Sequence, residues 1–335
     1  MKSLNIRFVG KDQVEAVQED VPAPGPDQVL VRSLKSLIST GTESICLGRK
    51  FAPGTNWDNW VQYPFYPGYL NAGEVVDVGA EVTTIKPGDR VASRGPHRQF
   101  FTTSAANVLP IPQGVSVEDA AWFGLTKITQ NGVRKAQHVM GDAVVIIGLG
   151  LLGQLVVQYT RLMGAREVIA IDTAPLRLEM AKAHGATQIL QVGVAEAREQ
   201  VEALTQGRLA DVVYDVTGHA AVFSHALGLV RRSGTLLLLG DTGTPAEQRL
   251  TSDVVTRGVK IVGAHDTDTP WASDYEYWTQ AKMGQLFFSY LQRGQMRVSD
   301  LVTHRFSPRD ATQTYRLLET DRAAVMGVIF DWEQI

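Results

Sequence analysis

The stretch Val144-Val145-Ile146-Ile147-Gly148-Leu149-Gly150-Leu151-Leu152-Gly153 decides the fold of this chain. Its four leading apolar residues predict a buried strand, and the glycines after them are typical of a tight turn that opens a helix. Gly148 permits the turn, Gly150 lets a phosphate approach the backbone, and Gly153 brings the helix close to the strand. The pattern therefore predicts a site where backbone N–H groups meet the pyrophosphate of a dinucleotide. Its candidate cofactor-binding residues are Gly148, Gly150, Leu151, Leu152 and Gly153.

A second, independent signal follows the next predicted strand. Asp172 lies 19 residues past Gly153, where a carboxylate can hold the hydroxyls of the adenosine ribose. A carboxylate at that place repels a 2′-phosphate, and Thr173 offers no cation that would reverse the preference. We therefore expect NAD as the cofactor, with NADP disfavoured. The alternative is a glycine-rich turn followed by an N-capping aspartate.

Composition excludes several classes of function. The chain has 335 residues, 44% of them hydrophobic, and a formal net charge of −3. That length predicts about two domains, and the weakly acidic balance of charge gives no reason to expect a nucleic acid or an anionic membrane as partner.

The sequence has neither a long apolar run nor a secretory-type N-terminus, so we expect a cytoplasmic protein. Cys46 is the only cysteine, which forbids an internal disulfide and a thiolate-rich structural zinc site.

The pattern of apolar residues changes along the chain. Short β-type runs broken by turn signals fill the first 120 residues or so, and from residue 143 apolar strands alternate with helical spacing, which predicts a parallel sheet built of βαβ units. The predicted strands are 28–32, 73–78, 90–92, 99–103, 143–147, 167–171, 211–214, 235–239, 259–262, 301–306 and 324–330. The predicted helices are 151–163, 176–184, 220–230, 275–293 and 308–318, with Gly164 and Gly185 as C-terminal caps.

This organisation resembles the medium-chain dehydrogenase/reductase superfamily, the zinc-type alcohol-dehydrogenase-like proteins. The marks of the resemblance, besides the glycine motif, are Ile38-Ser39-Thr40-Gly41-Thr42-Glu43, Pro67-Gly68-Tyr69-Leu70-Asn71-Ala72-Gly73-Glu74-Val75-Val76 and Lys86-Pro87-Gly88-Asp89-Arg90-Val91. The resemblance implies an α/β protein with a GroES-like, mostly-β catalytic domain over 1–124 and 270–335. It also implies a Rossmann domain over 125–269, a doubly wound parallel sheet that binds NAD(P), with the active site in the cleft between the two.

The departures from the family pattern concern the metal. The three positions that hold catalytic zinc in the zinc-containing members read Thr40, Tyr69 and Phe123 here, and a neighbouring glutamate position reads Leu70. The four-cysteine lobe that binds structural zinc in many members is absent, because residues 92–107 contain no cysteine. We therefore predict a protein without zinc. His97 and Glu43 are the alternative, a pair that would need a third ligand to bind a metal.

Without zinc, side chains must polarise the carbonyl oxygen and move a proton. The resemblance places Tyr69 at a former ligand position and Thr42 at the family's proton-relay hydroxyl. Lys127 follows Phe123 by one helical turn, and a lysine beside a tyrosine can lower the pKa of the phenol, by analogy with short-chain dehydrogenases. We predict Tyr69, Thr42 and Lys127 as catalytic residues. The alternatives are simple packing for Tyr69, a turn hydroxyl for Thr42 and a solvated helix charge for Lys127.

The resemblance also extends the cofactor site. It places Arg177 against the adenosine ribose and Leu152 near the nicotinamide, while Thr217, Gly240 and Asp241 follow later strands at the carboxyl edge of the sheet. Ordinary turn residues are the alternative for the glycines. Members of the family commonly dimerise by joining these sheets edge to edge, so the resemblance implies a homodimer through the Rossmann domain, with 259–263 as the candidate strand.

The sequence indicates the substrate only weakly. Aromatic and polar residues cluster at 56–60 with Tyr63, and at 265–268 with Trp271, which favours a carbohydrate or polyol-like small molecule. Our first hypothesis is zinc-independent, NAD(H)-dependent interconversion of a secondary alcohol and its ketone. The alternatives are an enone or quinone reductase, a bacteriochlorophyllide-type dehydrogenase with a large planar substrate, and a dinucleotide-binding protein without catalysis.

Overall fold

The protein is described by a computed structural model that covers residues 1–265 and 269–335. The chain divides into two compact units. The first consists of Met1–Lys50, Asn56–Leu125 and Trp271–Ile335, and the second of Phe51–Thr55 and Thr126–Pro270. No helix in the described part of the chain is long and apolar enough to cross a membrane.

The strands and helices are numbered here in chain order. The strands are β1 Lys2–Gly10, β2 Gln13–Asp20, β3 Gln28–Leu37, β4 Asn71–Val78, β5 Arg90–Ser93, β6 Phe100–Ser104, β7 Val108–Pro110, β8 Ala143–Ile147, β9 Glu167–Ile171, β10 Gln188–Leu190, β11 Ala210–Asp215, β12 Val230–Leu238, β13 Lys260–Gly263, β14 Val302–Phe306 and β15 Gly327–Asp331. The helices are α1 Thr40–Gly48, α2 Asn56–Trp60, α3 Val117–Ala120, α4 Phe123–Lys135, α5 Leu151–Leu162, α6 Pro175–Ala183, α7 Arg198–Leu204, α8 Ala220–Leu229, α9 Asp253–Thr256, α10 Gln280–Gln292 and α11 Ala311–Thr320.

The first unit is built on a mostly antiparallel sheet. Its strand order is β14-β15-β3-β4-β5-β7, with β6 paired to β3, while β1 and β2 form a separate hairpin. Alternate residues of β3, Val29 and Val31, point into one apolar cluster with Val75, Val91 and Phe101, because side chains two apart on a strand share a face. The short strands predicted for this region are confirmed, although β3 extends to Leu37 and the β1–β2 hairpin was not predicted.

The second unit contains a parallel sheet. Its order, β10-β9-β8-β11-β12-β13, is that of a doubly wound dinucleotide-binding fold. The predicted strands 143–147 and 167–171 agree with β8 and β9 at both ends, and the helices predicted at 151, 176 and 220 agree with α5, α6 and α8 to within one residue at each end. Strand β10 was missed because three residues carry too little pattern.

One predicted helix is corrected, and one helix was not predicted. Helix α10 begins at Gln280 rather than at 275, because the hydroxyl of Thr279 accepts a hydrogen bond from the Lys282 N–H and caps the helix. Helix α1 covers Thr40–Gly48, a segment that the sequence marked only as a motif. Both predicted capping glycines have the left-handed backbone of a helix end, with φ of 86° at Gly164 and 109° at Gly185.

The glycine motif joins β8 to α5 through a close backbone contact. Gly148 has φ of 90°, a conformation that L side chains rarely adopt. A Cβ atom on Gly153 would lie 2.1 Å from the carbonyl oxygen of Gly148, whereas one on Gly150 would have no atom within 4 Å. The third glycine is therefore required for packing, and the second faces open space.

We expect Gly153→Ala to lower the free energy of unfolding of the second unit by about 1–3 kcal/mol, because the added methyl group forces the helix away from the turn. Denaturant unfolding of the full chain measures the effect. Gly263→Ala is the matched control, since a Cβ there meets no atom within 4 Å. Equal unfolding midpoints for Gly153→Ala and the wild type would contradict this account.

Candidate active site

Tyr69 and Thr42, predicted as catalytic residues, are in contact. The Tyr69 hydroxyl lies 2.7 Å from Ser39 Oγ and 3.2 Å from Thr42 Oγ1. Thr42 is in the first turn of α1, and Ser39 is the residue before that helix. Gly68, with φ of 95°, precedes Tyr69, and a Cβ there would lie 2.6 Å from the His97 nitrogen. The backbone at Gly68 therefore fixes the position from which the Tyr69 side chain reaches α1.

The pKa of the Tyr69 phenol is shifted in the direction opposite to the one that a neighbouring lysine would give. Burial raises the pKa of its phenol above the ordinary value, and the hydrogen bonds from Ser39 and Thr42 only partly oppose that shift. A lowered pKa was expected. The phenol is therefore protonated near neutral pH, which makes it a hydrogen-bond and proton donor rather than a phenolate base.

Lys127 is the third predicted catalytic residue. It lies on α4, belongs to the second unit and is 2% exposed. The alternative of a solvated helix charge is therefore wrong. Tyr69 belongs to the first unit, and the pairing of Tyr69 with Lys127 stays a prediction.

A buried carboxylate network lies beside Tyr69. Glu43, 1% exposed, accepts hydrogen bonds from the Ser39 N–H at 2.8 Å and from the Tyr315 hydroxyl. His97 is fully buried, with Nε2 3.1 Å from Glu43 Oε2 and Nδ1 2.8 Å from Ser36 Oγ. Burial and the Glu43 charge raise the pKa of the Tyr315 phenol well above its ordinary value, so Tyr315 donates to the carboxylate. Glu43 and His97 are thus bound to protein groups.

The residues at the family's zinc positions do not fit zinc. Tyr69 presents a protonated phenol that is hydrogen-bonded to two hydroxyls, and Phe123 is a fully buried hydrocarbon. Burial, followed by the Glu43 charge, raises the pKa of the Cys46 thiol far above the range in which it becomes a thiolate ligand. Over residues 1–265 and 269–335, no group of three or more His, Cys, Asp and Glu side chains has metal-binding geometry.

A cavity of about 380 Å³ opens beside Tyr69 within the first unit. Its wall carries two arginines that the sequence analysis missed. The guanidinium of Arg94 lies 5.3 Å from the centre of the Tyr69 ring, and that of Arg98 lies 4.0 Å from the centre of the Tyr66 ring. The available signal was the basic run Arg94-Gly95-Pro96-His97-Arg98. The lining residues are Thr42, Glu43, Cys46, Trp60, Phe65, Tyr66, Gly68, Tyr69, Arg94, Pro96 and Arg98.

The structure places the aromatic segments that were predicted to bind substrate in different surroundings. Residues 56–60 form α2, where Trp60 lines the cavity and Trp57 is buried. The Tyr63 hydroxyl donates to the Cys46 carbonyl at 2.8 Å and is structural. Trp271 packs edge-on against Phe123. Of the predicted segment 265–268, residues 266–268 lie outside the described residues.

Asp172 holds the glycine turn in the second unit. Its Oδ2 atom accepts a hydrogen bond from the Leu149 N–H at 2.8 Å, and Oδ1 accepts one from the Ala174 N–H at 2.9 Å. Arg177 Nη1 lies 3.8 Å from Asp172 Oδ2. Asp172 and Arg177, predicted at the ribose, are therefore neighbours of the Gly148–Gly153 turn.

The other predicted cofactor residues lie at the same edge of the parallel sheet. Thr217 follows β11 and donates from Oγ1 to Asp215 Oδ1 at 2.7 Å. Gly240 and Asp241 follow β12, and a Cβ on Gly240 would lie 2.4 Å from the Gly218 nitrogen. Leu151 is buried, and Leu152 is half-buried. The open space beside Gly150 and the close packing at Gly153 and Gly240 fit a dinucleotide at this carboxyl edge.

A mostly-β unit and a doubly wound dinucleotide-binding unit in one chain define a nicotinamide-dependent oxidoreductase, and comparison with known proteins agrees. Residues 25–113 match the family described as "Alcohol dehydrogenase GroES-like domain", and residues 152–278 match "Zinc-binding dehydrogenase". The chain belongs to the medium-chain dehydrogenase/reductase superfamily and is an oxidoreductase.

Individual relatives are distant. The chain is 28% identical to D-guloside 3-dehydrogenase of Escherichia coli (strain K12), over 79% of this chain and 78% of that protein. It is 28% identical to L-threonine 3-dehydrogenase of Bacillus licheniformis, over 93% of this chain and 94% of the relative. The crystal structure of galactitol-1-phosphate dehydrogenase from Escherichia coli superimposes on this chain with a TM-score of 0.83 at 20% identity. The superposition covers 99% of this chain and 100% of that one, so the two proteins share the fold.

We expect Asp172→Ala to lower the ratio of NADH affinity to NADPH affinity about tenfold or more, because the ribose hydroxyls lose an acceptor and a 2′-phosphate loses a repelling charge. Fluorescence titration with each cofactor measures the ratio. Asp172→Asn removes the negative charge but retains an acceptor for the Leu149 N–H. It therefore tests the effect of the charge while the geometry of the glycine turn is kept. Glu179→Ala, an exposed carboxylate on α6, is the control. An unchanged ratio in Asp172→Asn and Asp172→Ala would contradict the ribose assignment.

Proposed function

We propose that this oxidoreductase interconverts a secondary alcohol and its ketone with NAD(H), without zinc, on a carbohydrate or polyol-like substrate. The observation that carries the proposal is the Tyr69 phenol, which lines the cavity and is hydrogen-bonded to Ser39 and Thr42 at a family zinc position. A donor placed there can polarise a carbonyl oxygen, which is the task that zinc performs in zinc-containing members.

The chemistry of the cavity supports a polyhydroxylated substrate. Trp60, Phe65 and Tyr66 supply flat faces for C–H groups, and Thr42 and Tyr69 supply hydroxyls. The relative named D-guloside 3-dehydrogenase, whose name refers to a sugar derivative, supports the same class. Enone and quinone reduction remain as arms of the assay below.

The proton moves through hydroxyls of this chain. When bound, the nicotinamide supplies or accepts the hydride. In ketone reduction, the protonated Tyr69 phenol donates to the carbonyl oxygen as negative charge develops on it. A proton from solvent is then relayed to the phenol oxygen through Thr42 or Ser39, which lie within hydrogen-bond distance of it, and alcohol oxidation reverses the path.

A homodimer is part of the proposal. Among the described residues, β13 is the outer strand of the parallel sheet and is mostly exposed, so its edge can pair with that of a second copy. The family resemblance supports this edge as the interface.

The proposed activity is tested by mixing the metal-free protein with NADH or NADPH and a panel of neutral and acidic polyols, sugars, their keto forms, enones and quinones. Nicotinamide absorbance reports turnover. Turnover of a polyol or sugar with NADH preferred supports the proposal. Turnover confined to enones or quinones overturns it.

Zinc independence predicts that the purified protein contains far less than one zinc ion per chain and keeps its turnover after treatment with a strong chelator. Elemental analysis and an activity assay before and after chelation measure both. The residues at the three ligand positions give the reason, since none is a thiolate, imidazole or carboxylate. Stoichiometric zinc whose removal abolishes turnover would contradict the proposal.

We expect Tyr69→Phe to lower kcat/KM for ketone reduction by about 100-fold or more, through loss of the proton donor. Tyr63→Phe removes another hydrogen-bonded phenol of the first unit and is the matched control. Because burial raises the pKa of Tyr69, the phenol stays protonated below that raised value, and the wild type shows no loss of rate from tyrosine ionisation between about pH 7 and about pH 9. A rate that tracks formation of a phenolate in that interval would contradict the assignment.

A further inference from the structure

Ser39 stands at the N-terminus of α1, but its side chain does not cap the helix. Serine is a preferred residue at this position, where its side-chain oxygen ordinarily accepts a hydrogen bond from an N–H of the first turn. In this chain the Ser39 side chain makes no such bond. Its Oγ atom lies 2.7 Å from the hydroxyl of Tyr69, 30 positions further along the chain. A residue that gives up a common local interaction for a distant contact indicates a functional constraint.

The backbone of Ser39 is fixed by Glu43. The Ser39 N–H donates to Glu43 Oε1 at 2.8 Å, and the Glu43 N–H donates to the Ser39 carbonyl at 2.9 Å. The carboxylate is itself held by His97 and Tyr315. Because both backbone groups of Ser39 are bonded, its hydroxyl moves mainly by rotation about χ1, which has only a few staggered positions. Glu43 therefore acts on Tyr69 through Ser39.

The two hydroxyl partners of Tyr69 differ in distance and in surroundings. Ser39 is 6% exposed, whereas Thr42 is half-buried and lines the cavity. The distance to the phenol oxygen is 2.7 Å from Ser39 Oγ and 3.2 Å from Thr42 Oγ1. The shorter distance is the usual one between two hydroxyl oxygens, and the longer one lies outside the usual range. Ser39 is thus the closer and more buried partner, and Thr42 is the partner in contact with the cavity.

The hydroxyl partners matter most when the phenol has lost its proton. Burial raises the pKa of Tyr69, and the hydrogen bonds of Ser39 and, to a smaller extent, of Thr42 oppose this rise. A hydrogen bond lowers the pKa of an acid when it is stronger to the charged form. Both hydroxyls therefore stabilise the phenolate, and Ser39 contributes more than Thr42.

We propose that Ser39 is a positioning residue for proton transfer, which holds the Tyr69 phenol and donates a hydrogen bond to its oxygen once the proton has left, while Thr42 exchanges protons with the cavity. The inference rests on the proposed function and gives its two hydroxyls different roles. In ketone reduction the phenol O–H bond breaks and the carbonyl oxygen takes the proton, while Ser39 keeps its own proton. Thr42 then gives its proton to the phenolate and takes one from solvent, which restores both groups.

Nuclear magnetic resonance tests this role without turnover. The nine tyrosines are replaced by 3-fluorotyrosine, whose phenol is more acidic, and the fluorine signal of Tyr69 is the one missing from Tyr69→Phe. We expect Ser39→Ala to raise the pH at which this signal titrates by about one unit, because the phenolate loses its main donor, and Thr42→Val to raise it by less. Glu43 and Arg94, the charged groups that act on Tyr69, are present in every variant. Equal shifts in the two variants, or no shift in Ser39→Ala, overturn the proposal.

Steady-state kinetics tests the consequence for catalysis. We expect Ser39→Ala to lower kcat about tenfold or more and to leave KM within about twofold, because the lost bond acts on the phenolate rather than on bound substrate. Ser39→Cys fills the space of the hydroxyl with a weak donor and behaves like Ser39→Ala. Ser44→Ala removes a buried hydroxyl from the same helix and is the matched control, because the Tyr69 hydroxyl contacts Ser39 and Thr42 instead. Full kcat in Ser39→Ala or in Ser39→Cys overturns the proposal.

The two measurements together separate this inference from the proposed function. Turnover by the wild type with an equal kcat in Ser39→Ala contradicts the role of Ser39 and leaves the dehydrogenase activity intact. An ionisation of Tyr69 that depends on Ser39, with no alcohol or ketone turned over, supports Ser39 as the main partner of the phenol and contradicts the proposed function.

Discussion

The carboxylate of Glu43 is buried in the first unit and is held by three donors from distant parts of the chain. Ser39 precedes α1, His97 lies between β5 and β6, and Tyr315 comes from α11. Removing one partner from such a buried charge costs about 3–5 kcal/mol, so the network ties these segments together. The position of α1 follows from it, and with α1 the positions of Thr42 and of the hydroxyl cluster around Tyr69. The wall of the cavity thus depends on one buried charge.

The same network accounts for the character of the site. In a zinc enzyme, the metal is the largest local charge and sets the pKa of what it binds. Here Tyr69 presents a phenol that burial keeps protonated, and Arg94 and Arg98 line the same cavity. We propose that a hydrogen bond from this phenol polarises the carbonyl. The family fold is retained, and under our proposal side chains perform the task that zinc performs in zinc-containing members.

Local pattern was sufficient where each residue's role depends on its neighbours in sequence. Strand β8, the glycine turn and α5 follow directly from apolar runs and glycine spacing, and Asp172 lies where its distance from Gly153 indicated. The pattern was insufficient for β10, which is three residues long, for the start of α10 and for the hairpin β1–β2. The pKa of Tyr69 is raised, whereas a neighbouring lysine would lower it, because desolvation depends on what surrounds the hydroxyl and no spacing encodes it.

The sequence by itself determined the two-unit architecture and the glycine turn, because these depend on residue type at fixed spacing. It also predicted that the three zinc positions of the family carry no zinc ligand here. Only the tertiary structure decided that Ser39, Thr42 and Tyr69 share hydrogen bonds, that His97 and Glu43 bind one another, and that two arginines line the same cavity. Residues far apart in the chain meet there through sheet pairing and helix packing, and contacts of that kind leave no periodic signal in the sequence.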